Sequence, residues 1–169
     1  HRAYSKRYGD EKLDSKAKVA FRLNPKVHAI THKHISTGYK THKFGILAAD
    51  IIKTVEDKKY WSHTKLVGLS VHIGSQLTDL NATKEAIVNA CECANKLPHA
   101  LEFIDVGGGL GVNYHPTNTN APSITEYMEL VADALKSYKH KAEIVFEPGR
   151  RISASCGFFV TSVIRSKMS

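Results

Sequence analysis

Four short apolar runs alternate with three amphipathic stretches, and this alternation restricts the possible folds more than any other feature of the chain. The apolar runs cover residues 19–24, 66–73, 101–106 and 143–147. Short runs that are nearly continuous in apolar side chains are typical of strands buried on both faces of a parallel sheet. Parallel strands need long crossover connections, which are usually helices.

The stretches between these runs have apolar residues at helical spacing. Their stripes are formed by Phe44, Leu47, Ile51 and Val55, by Leu80, Ile87, Cys91, Ala94 and Leu97, and by Ile124, Met128, Val131 and Leu135. Ser123 and Glu126 have the spacing of a capping box, which predicts the start of the third helix. The order βαβαβαβ predicts an α/β fold, either an open doubly wound sheet or part of a (β/α)8 barrel.

Length and composition exclude several classes of protein. The 169 residues, 42% hydrophobic and 24% charged, suit one globular domain with its own core. Because the chain has neither an apolar run of membrane-helix length nor the apolar segment of a secretory signal, we expect a soluble, cytoplasmic protein with no membrane partner. The formal net charge is +8, but the basic residues are scattered, which favours an anionic small ligand over nucleic acid.

The cysteine and histidine patterns do not predict a metal site. Cys91, Cys93 and Cys156 make a poor disulfide framework and are interpreted as small buried residues. Four histidines match no zinc-finger spacing and are interpreted as part of a polar loop, namely His28, His32, His34 and His42.

Each predicted strand ends in polar residues or glycines. These endings are Arg22–Pro25, His72–Gln76, Asp105–Gly109 and Glu147–Arg150. In parallel α/β folds the carboxyl ends of the strands meet at one rim, where ligands bind. The sequence therefore predicts a site at this rim.

Each ending also has a structural explanation. The glycines could form a tight turn, His72 could be a hydrogen-bonded core residue, Glu147 and Arg150 could form an ion pair, and Asp105 could hold its loop. The functional interpretation is favoured because all four endings fall on the same rim. Three adjacent glycines let backbone N–H groups converge on an anion, and phosphate is the simplest ligand of this kind. The Walker and G-x-G-x-x-G patterns are both absent, so no nucleotide is specified.

Five motifs in this order resemble the fold type III pyridoxal-phosphate decarboxylases: RLNP, THKHISTGYKTHKFGI, GLSVHIGSQ, IDVGGGLG and EPGR. HIGSQ with ISTG and KFG favours the branch that acts on meso-diaminopimelate, since the polyamine branch more often resembles HVGSG. The resemblance implies an alanine-racemase-like (β/α)8 barrel of the TIM-barrel type, followed by a β domain. Residues 1–18 would then be a lead-in segment, residues 19–152 the second half of the barrel, and residues 153–169 the start of the β domain, with a strand over 158–164.

The resemblance also implies a role for each rim residue toward pyridoxal 5'-phosphate. The phosphate would be held by Gly107, Gly108, Gly109 and Ser75. His72 would stack on the pyridine ring, and Glu147 would pair with the pyridine nitrogen; these two are the candidate catalytic residues. Arg22 would lie near the phenolic oxygen of the cofactor, and Arg150 would bind a substrate carboxylate.

Two departures from the family pattern define what this chain can do by itself. The lysine of a Y-A-x-K-A-like motif, which would form the Schiff base, is absent, and so are the cysteine and tyrosine motifs of the C-terminal domain. We therefore expect a central piece, inactive in isolation, of a homodimeric enzyme that makes L-lysine from meso-diaminopimelate, the last step of lysine biosynthesis. The alternatives are an ornithine or arginine decarboxylase of the same fold, and a noncatalytic relative that binds the cofactor or a partner protein.

Overall fold

The structure, a computed structural model, describes residues 16–27, 44–115, 117 and 120–167. The histidine-rich stretch from His28 to His42 and almost all of the predicted lead-in segment lie outside these residues. The predictions made for them stay predictions.

Four parallel strands form one sheet in chain order. They are β1 (Ala17–Arg22), β2 (Thr64–Ser70), β3 (Phe103–Gly108) and β4 (Glu143–Glu147). All four predicted strands are confirmed: β4 has the predicted bounds, and the ends of the other three move by two or three residues. The ends move because a strand is bounded by its backbone pairing with neighbours, and the apolar run marks only its buried part.

Three helices connect the strands, as the apolar stripes predict, although Phe44 and Leu47 of the first stripe precede its helix. They are α1 (Ala48–Glu56), α2 (Asn81–Asn95) and α3 (Ile124–Leu135). A short 3-10 helix (Lys58–Tyr60) precedes β2, and the one-turn helix α4 (Gly149–Ser153) follows β4. The capping box at α3 is confirmed, because Ser123 Oγ accepts from the Glu126 N–H at 3.1 Å while the Glu126 carboxylate accepts from the Ser123 N–H at 2.8 Å.

The strand order favours a barrel over a doubly wound sheet. Each strand is added beside the preceding one, and the order β1-β2-β3-β4 contains no reversal, whereas a doubly wound sheet reverses at its switch point. The helices and one face of the sheet share a single core, in which Ile51, Leu69, Ile87 and Ile104 are fully buried. A sequential parallel sheet with its helices on one side is the repeating unit of a (β/α)8 barrel.

An ion cluster joins three strands at the amino end of the sheet. Glu102, which directly precedes β3, accepts from Lys18 of β1 at 2.7 Å and from Lys65 of β2 at 2.8 Å. These two hydrogen bonds lower the pKa of the Glu102 carboxyl to about 2. The cluster lies at the opposite end of the strands from the rim that contains the polar motifs.

The strand predicted over residues 158–164 is not present. Residues 154–167 contain no strand, and Phe158, Phe159 and Ile164 are 99%, 93% and 97% exposed. An isolated extended segment is not stable as a strand, because its backbone groups need a neighbouring strand and the described residues provide none here. The start of a β domain at residue 153 therefore stays a prediction.

The cysteine interpretation is right for two residues and wrong for one. Cys91 and Cys93 are buried in the core, where burial raises the pKa of both thiols. Cys156 is exposed, because it follows α4 in a segment whose residues from 155 to 167 are all exposed. None of the helices in the described ranges combines the length and apolar character needed to cross a bilayer.

Candidate functional site

The structure brings the predicted rim residues of all four strands together. Arg22, at the end of β1, donates from Nη2 to the His72 carbonyl oxygen at 3.0 Å. His72, just after β2, accepts at Nδ1 from the Gly108 N–H of β3 at 3.3 Å. The same Nδ1 lies 3.5 Å from Glu147 Oε2 at the end of β4. The prediction that these residues share one rim is confirmed.

The contacts of His72 leave Glu147 accessible. The 3.5 Å separation from Glu147 is longer than a normal hydrogen bond. Because the Glu147 side chain is 56% exposed and, among the described residues, forms no ion pair other than this long contact with His72, its carboxylate can accept a bond from a ligand.

The glycine loop, Gly107–Gly109 at the carboxyl end of β3, is required by close contact with neighbouring backbone. A Cβ at Gly107 would lie 2.2 Å from the Val71 carbonyl oxygen, and one at Gly108 would lie 1.9 Å from that of Glu147. Gly107 and Gly109 also have φ of +73° and +92°, which L side chains rarely adopt. Packing among the loops at the rim therefore explains the missing side chains without any ligand.

Two N–H groups of this loop already have protein partners. The Gly107 N–H donates to Asp105 Oδ1 at 2.8 Å, and the Gly108 N–H donates to His72. Asp105 is buried, which raises the pKa of its carboxyl, while the bond from Gly107 acts in the opposite direction. The expectation that Asp105 holds the loop is confirmed, and an anion would have to compete for these two N–H groups.

Arg150 binds Gln76 and not Glu147. Its Nη1 donates to Gln76 Oε1 at 3.3 Å, and among the ion pairs of the described residues none joins Arg150 to Glu147. The structural ion pair considered for Glu147 and Arg150 is therefore not formed.

Ser75 is exposed in the same loop as Gln76. This loop lies close to the glycine loop, because a Cβ built on Gly109 would lie 2.0 Å from the Gly74 carbonyl oxygen.

The match to a family model decides the family. Residues 9–154 match the model described as "Pyridoxal-dependent decarboxylase, pyridoxal binding domain". The chain belongs to this family of pyridoxal-dependent decarboxylases. The resemblance inferred from the five motifs is thereby confirmed, and so is the barrel-type fold that it implies.

Among curated relatives, the chain is similar to diaminopimelate decarboxylases. It is 39% identical to that of Zymomonas mobilis over 160 residues, which cover 93% of this chain and 38% of the relative. It is 35% identical to that of Aquifex aeolicus, covering 90% of this chain and 36% of the relative. The chain thus spans less than two fifths of the length of these pyridoxal-dependent decarboxylases.

Solved structures of pyridoxal-dependent decarboxylases show the same relationship. The diaminopimelate decarboxylase of Helicobacter pylori complexed with L-lysine matches with a TM-score of 0.70 and 35% identity, over 82% of this chain and 35% of that one. A lysine/ornithine decarboxylase of Vibrio vulnificus complexed with putrescine matches with a TM-score of 0.55 and 33% identity, over 64% of this chain and 30% of that one.

His72 and Glu147 fit the pyridine ring of the pyridoxal phosphate that this family binds, whereas the Gly107 and Gly108 N–H groups already have protein partners. The His72 ring is 32% exposed and its orientation is fixed by Gly108, while the Glu147 carboxylate is accessible beside it. An aromatic ring face next to an accessible carboxylate suits a pyridine ring with a protonated nitrogen. Sequence reasoning did not assign a role to Gln76, whose position directly after Ser75 in the rim loop was the only available signal.

Proposed function

We propose that this chain forms part of the active site of a pyridoxal-phosphate-dependent carboxy-lyase that converts meso-diaminopimelate to L-lysine. The observation that carries the proposal is the convergence of His72, Glu147 and the glycine loop at one rim, in a chain that belongs to the decarboxylase family. The names of the relatives supply the substrate.

Glu147 and His72 would act on the pyridine ring. When bound, pyridoxal phosphate accepts the electron pair released as the Cα–carboxylate bond breaks. Glu147 would hold a proton on the pyridine nitrogen, because a carboxylate stabilises the protonated form of a neighbouring base. His72 would lie against one ring face, in an orientation held by the Gly108 N–H at its Nδ1.

The remaining rim residues would bind the two ends of the ligands. Ser75 and the glycine loop, Gly107 to Gly109, would hold the phosphate, with the Ser75 hydroxyl exposed for this purpose. Arg22 would lie near the phenolic oxygen. Arg150 would bind a substrate carboxylate, because its planar guanidinium can donate two parallel hydrogen bonds.

We also propose that the complete protein is a cytoplasmic homodimer. The family resemblance supports the homodimer, because it implies that groups from the partner subunit complete the site.

An ornithine- or arginine-type decarboxylase is the second candidate. The similarity to the putrescine-bound lysine/ornithine decarboxylase of Vibrio vulnificus favours it, but that match covers less of the chain and has the lower TM-score.

One assay separates these candidates. The complete gene product, including whatever sequence precedes and follows these residues, is mixed with pyridoxal phosphate and, in parallel, with meso-diaminopimelate, ornithine or arginine. We expect carbon dioxide and lysine from the first substrate, at a kcat/KM well above that for the others. A preference for ornithine or arginine would support the second candidate. Cofactor binding without carbon dioxide release from any of the three would support a noncatalytic relative.

A further inference from the structure

Gln76 adopts a left-handed backbone conformation, which is rare for residues other than glycine. Its φ is +57°, and Lys26 is the only other non-glycine residue with a positive φ among the described residues. Such a conformation costs of order 1 kcal/mol or more and persists only where surrounding contacts impose it. Neighbouring backbone bonds impose it here, because Leu77 N–H donates to Gly109 O at 2.8 Å and Gly111 N–H donates to Leu77 O at 2.9 Å.

Both ends of the Gln76 amide bind the backbone of one residue. Nε2 donates to the Val112 carbonyl oxygen at 2.6 Å, and Oε1 accepts from the Val112 N–H at 3.2 Å. Since Val112 offers one donor and one acceptor, this pair of bonds fixes which end of the amide is oxygen. The oxygen therefore faces Arg150, whose Nη1 lies 3.3 Å away.

A neutral amide oxygen is well suited to orient a guanidinium without neutralising it. A carboxylate at this position would form an ion pair and reduce the attraction of Arg150 for another anion. The bond to Gln76 uses one of the five N–H donors of Arg150, which leaves a pair for a planar carboxylate. Arg150 belongs to the one-turn helix α4, so a contact from outside that helix is needed to fix its side chain.

We propose that Gln76 is a positioning residue that sets the affinity for the substrate carboxylate through Arg150. The inference rests on the proposed function, because it takes a substrate carboxylate as the partner of Arg150. Gln76 would affect substrate binding without itself touching the substrate. Its consequence is that a dicarboxylic amino acid binds more weakly when the amide is removed, while the chemistry on the pyridine ring continues.

The test uses the complete gene product and the variant Gln76→Gly. Glycine accepts a φ of +57° without strain, so the change removes the amide and leaves the backbone relaxed. We expect KM for meso-diaminopimelate to rise about tenfold, the effect of losing one hydrogen bond to a charged group. The value of kcat and the pyridoxal-phosphate affinity measured by absorbance should change by less than about twofold, because Gln76 contacts none of the residues proposed to hold the pyridine ring.

A binding measurement that needs no turnover accompanies the kinetics. Pimelate has the chain length and both carboxylates of the substrate but no amino group, so it reports carboxylate binding alone. Calorimetric titration should show its Kd raised by the same factor in Gln76→Gly. The matched control is Lys26→Gly, which relieves the other positive φ, +56°, in a residue with no contact to Arg150; here KM and Kd should stay at parent values.

A double-mutant cycle separates positioning from general stabilisation. If Gln76 acts through Arg150, Gln76→Gly should add less than about a twofold effect on KM in an Arg150→Lys background. A full tenfold effect in both backgrounds would overturn the inference, as would an unchanged KM in Gln76→Gly next to an active parent. If Gln76→Gly does not fold, Gln76→Glu gives the same test, because its charge would pair with Arg150 and should raise KM. An unchanged KM in this variant would equally overturn the inference. Absence of turnover in the parent would instead overturn the proposed function and this inference with it.

Discussion

Replacing Gly108 by Ala should destabilise the rim more than its small size suggests. The added Cβ would lie 1.9 Å from the Glu147 carbonyl oxygen and 2.8 Å from its carbon. Both are backbone atoms of the paired strand, so no side chain can rotate away, and β3 and β4 must separate. Overpacking typically costs about 1–3 kcal/mol, and we expect the upper end of this range because the obstacle is backbone.

Urea unfolding of the complete gene product measures this cost. Because m rises with chain length above the value of about 1–3 kcal/mol/M for small proteins, a loss of about 3 kcal/mol lowers the urea midpoint by up to about 1 M. Gly149→Ala is the matched control, because a Cβ there meets nothing within 4 Å, and its midpoint should stay close to that of the parent. Pyridoxal phosphate should also bind Gly108→Ala more weakly, since the shift moves Glu147 away from His72. Equal midpoints for Gly108→Ala and Gly149→Ala would refute this reasoning.

Three further predictions concern charge and completeness. Glu147→Gln in the complete gene product should keep the cofactor but release carbon dioxide at least about tenfold more slowly. The reason is that an amide stabilises a protonated pyridine nitrogen less than a carboxylate does. Turnover at the parent rate would exclude the role assigned to Glu147. Glu102→Gln should lower the urea midpoint at pH 7, because the ionised Glu102 carboxylate stabilises the folded protein. The pKa of Glu102 is lowered from 4.5 to about 2, so this stabilisation is fully present above pH 4.5 and is lost as the pH falls toward 2. The difference between parent and variant should therefore shrink over this pH range. An equal difference between parent and variant at pH 7 and pH 2 would contradict the Lys18–Glu102–Lys65 cluster. The 169-residue polypeptide by itself should release no carbon dioxide from meso-diaminopimelate above a cofactor-only control, and lysine production by it would overturn the expectation that other segments are needed.

The fold was largely predictable because its signals are local. Continuous apolar runs such as 101–106 identify buried parallel strands, and the pair Ser123 and Glu126 marks a helix start through contacts three residues apart. The rim was predictable once the strands were known to be parallel, since neighbouring parallel strands place their carboxyl ends at the same edge of the sheet.

The rest depends on contacts between residues that are distant in sequence. The apolar run at 158–164 has the composition of a strand, but composition does not supply the neighbour that a strand needs. The link between Gln76 and Val112 joins two loops, and no local pattern reports it. The glycines at 107–109 were correctly identified as a place where backbone must be bare, yet the neighbour that requires this is the protein's own backbone.

The Lys18–Glu102–Lys65 cluster has a consequence for how this sequence can diversify. It joins three strands at the end of the sheet that lies away from the rim, so part of the sheet's cohesion does not depend on any residue proposed to bind ligand. Rim side chains proposed to bind substrate, such as that of Arg150, can therefore be randomised in a library while the strands stay in register. Gly107, Gly108 and Gly109 are the exceptions, because their substitution disturbs the neighbouring strand or loop. A selection for new substrates should accordingly keep these three glycines and vary the side chains that are proposed to bind substrate.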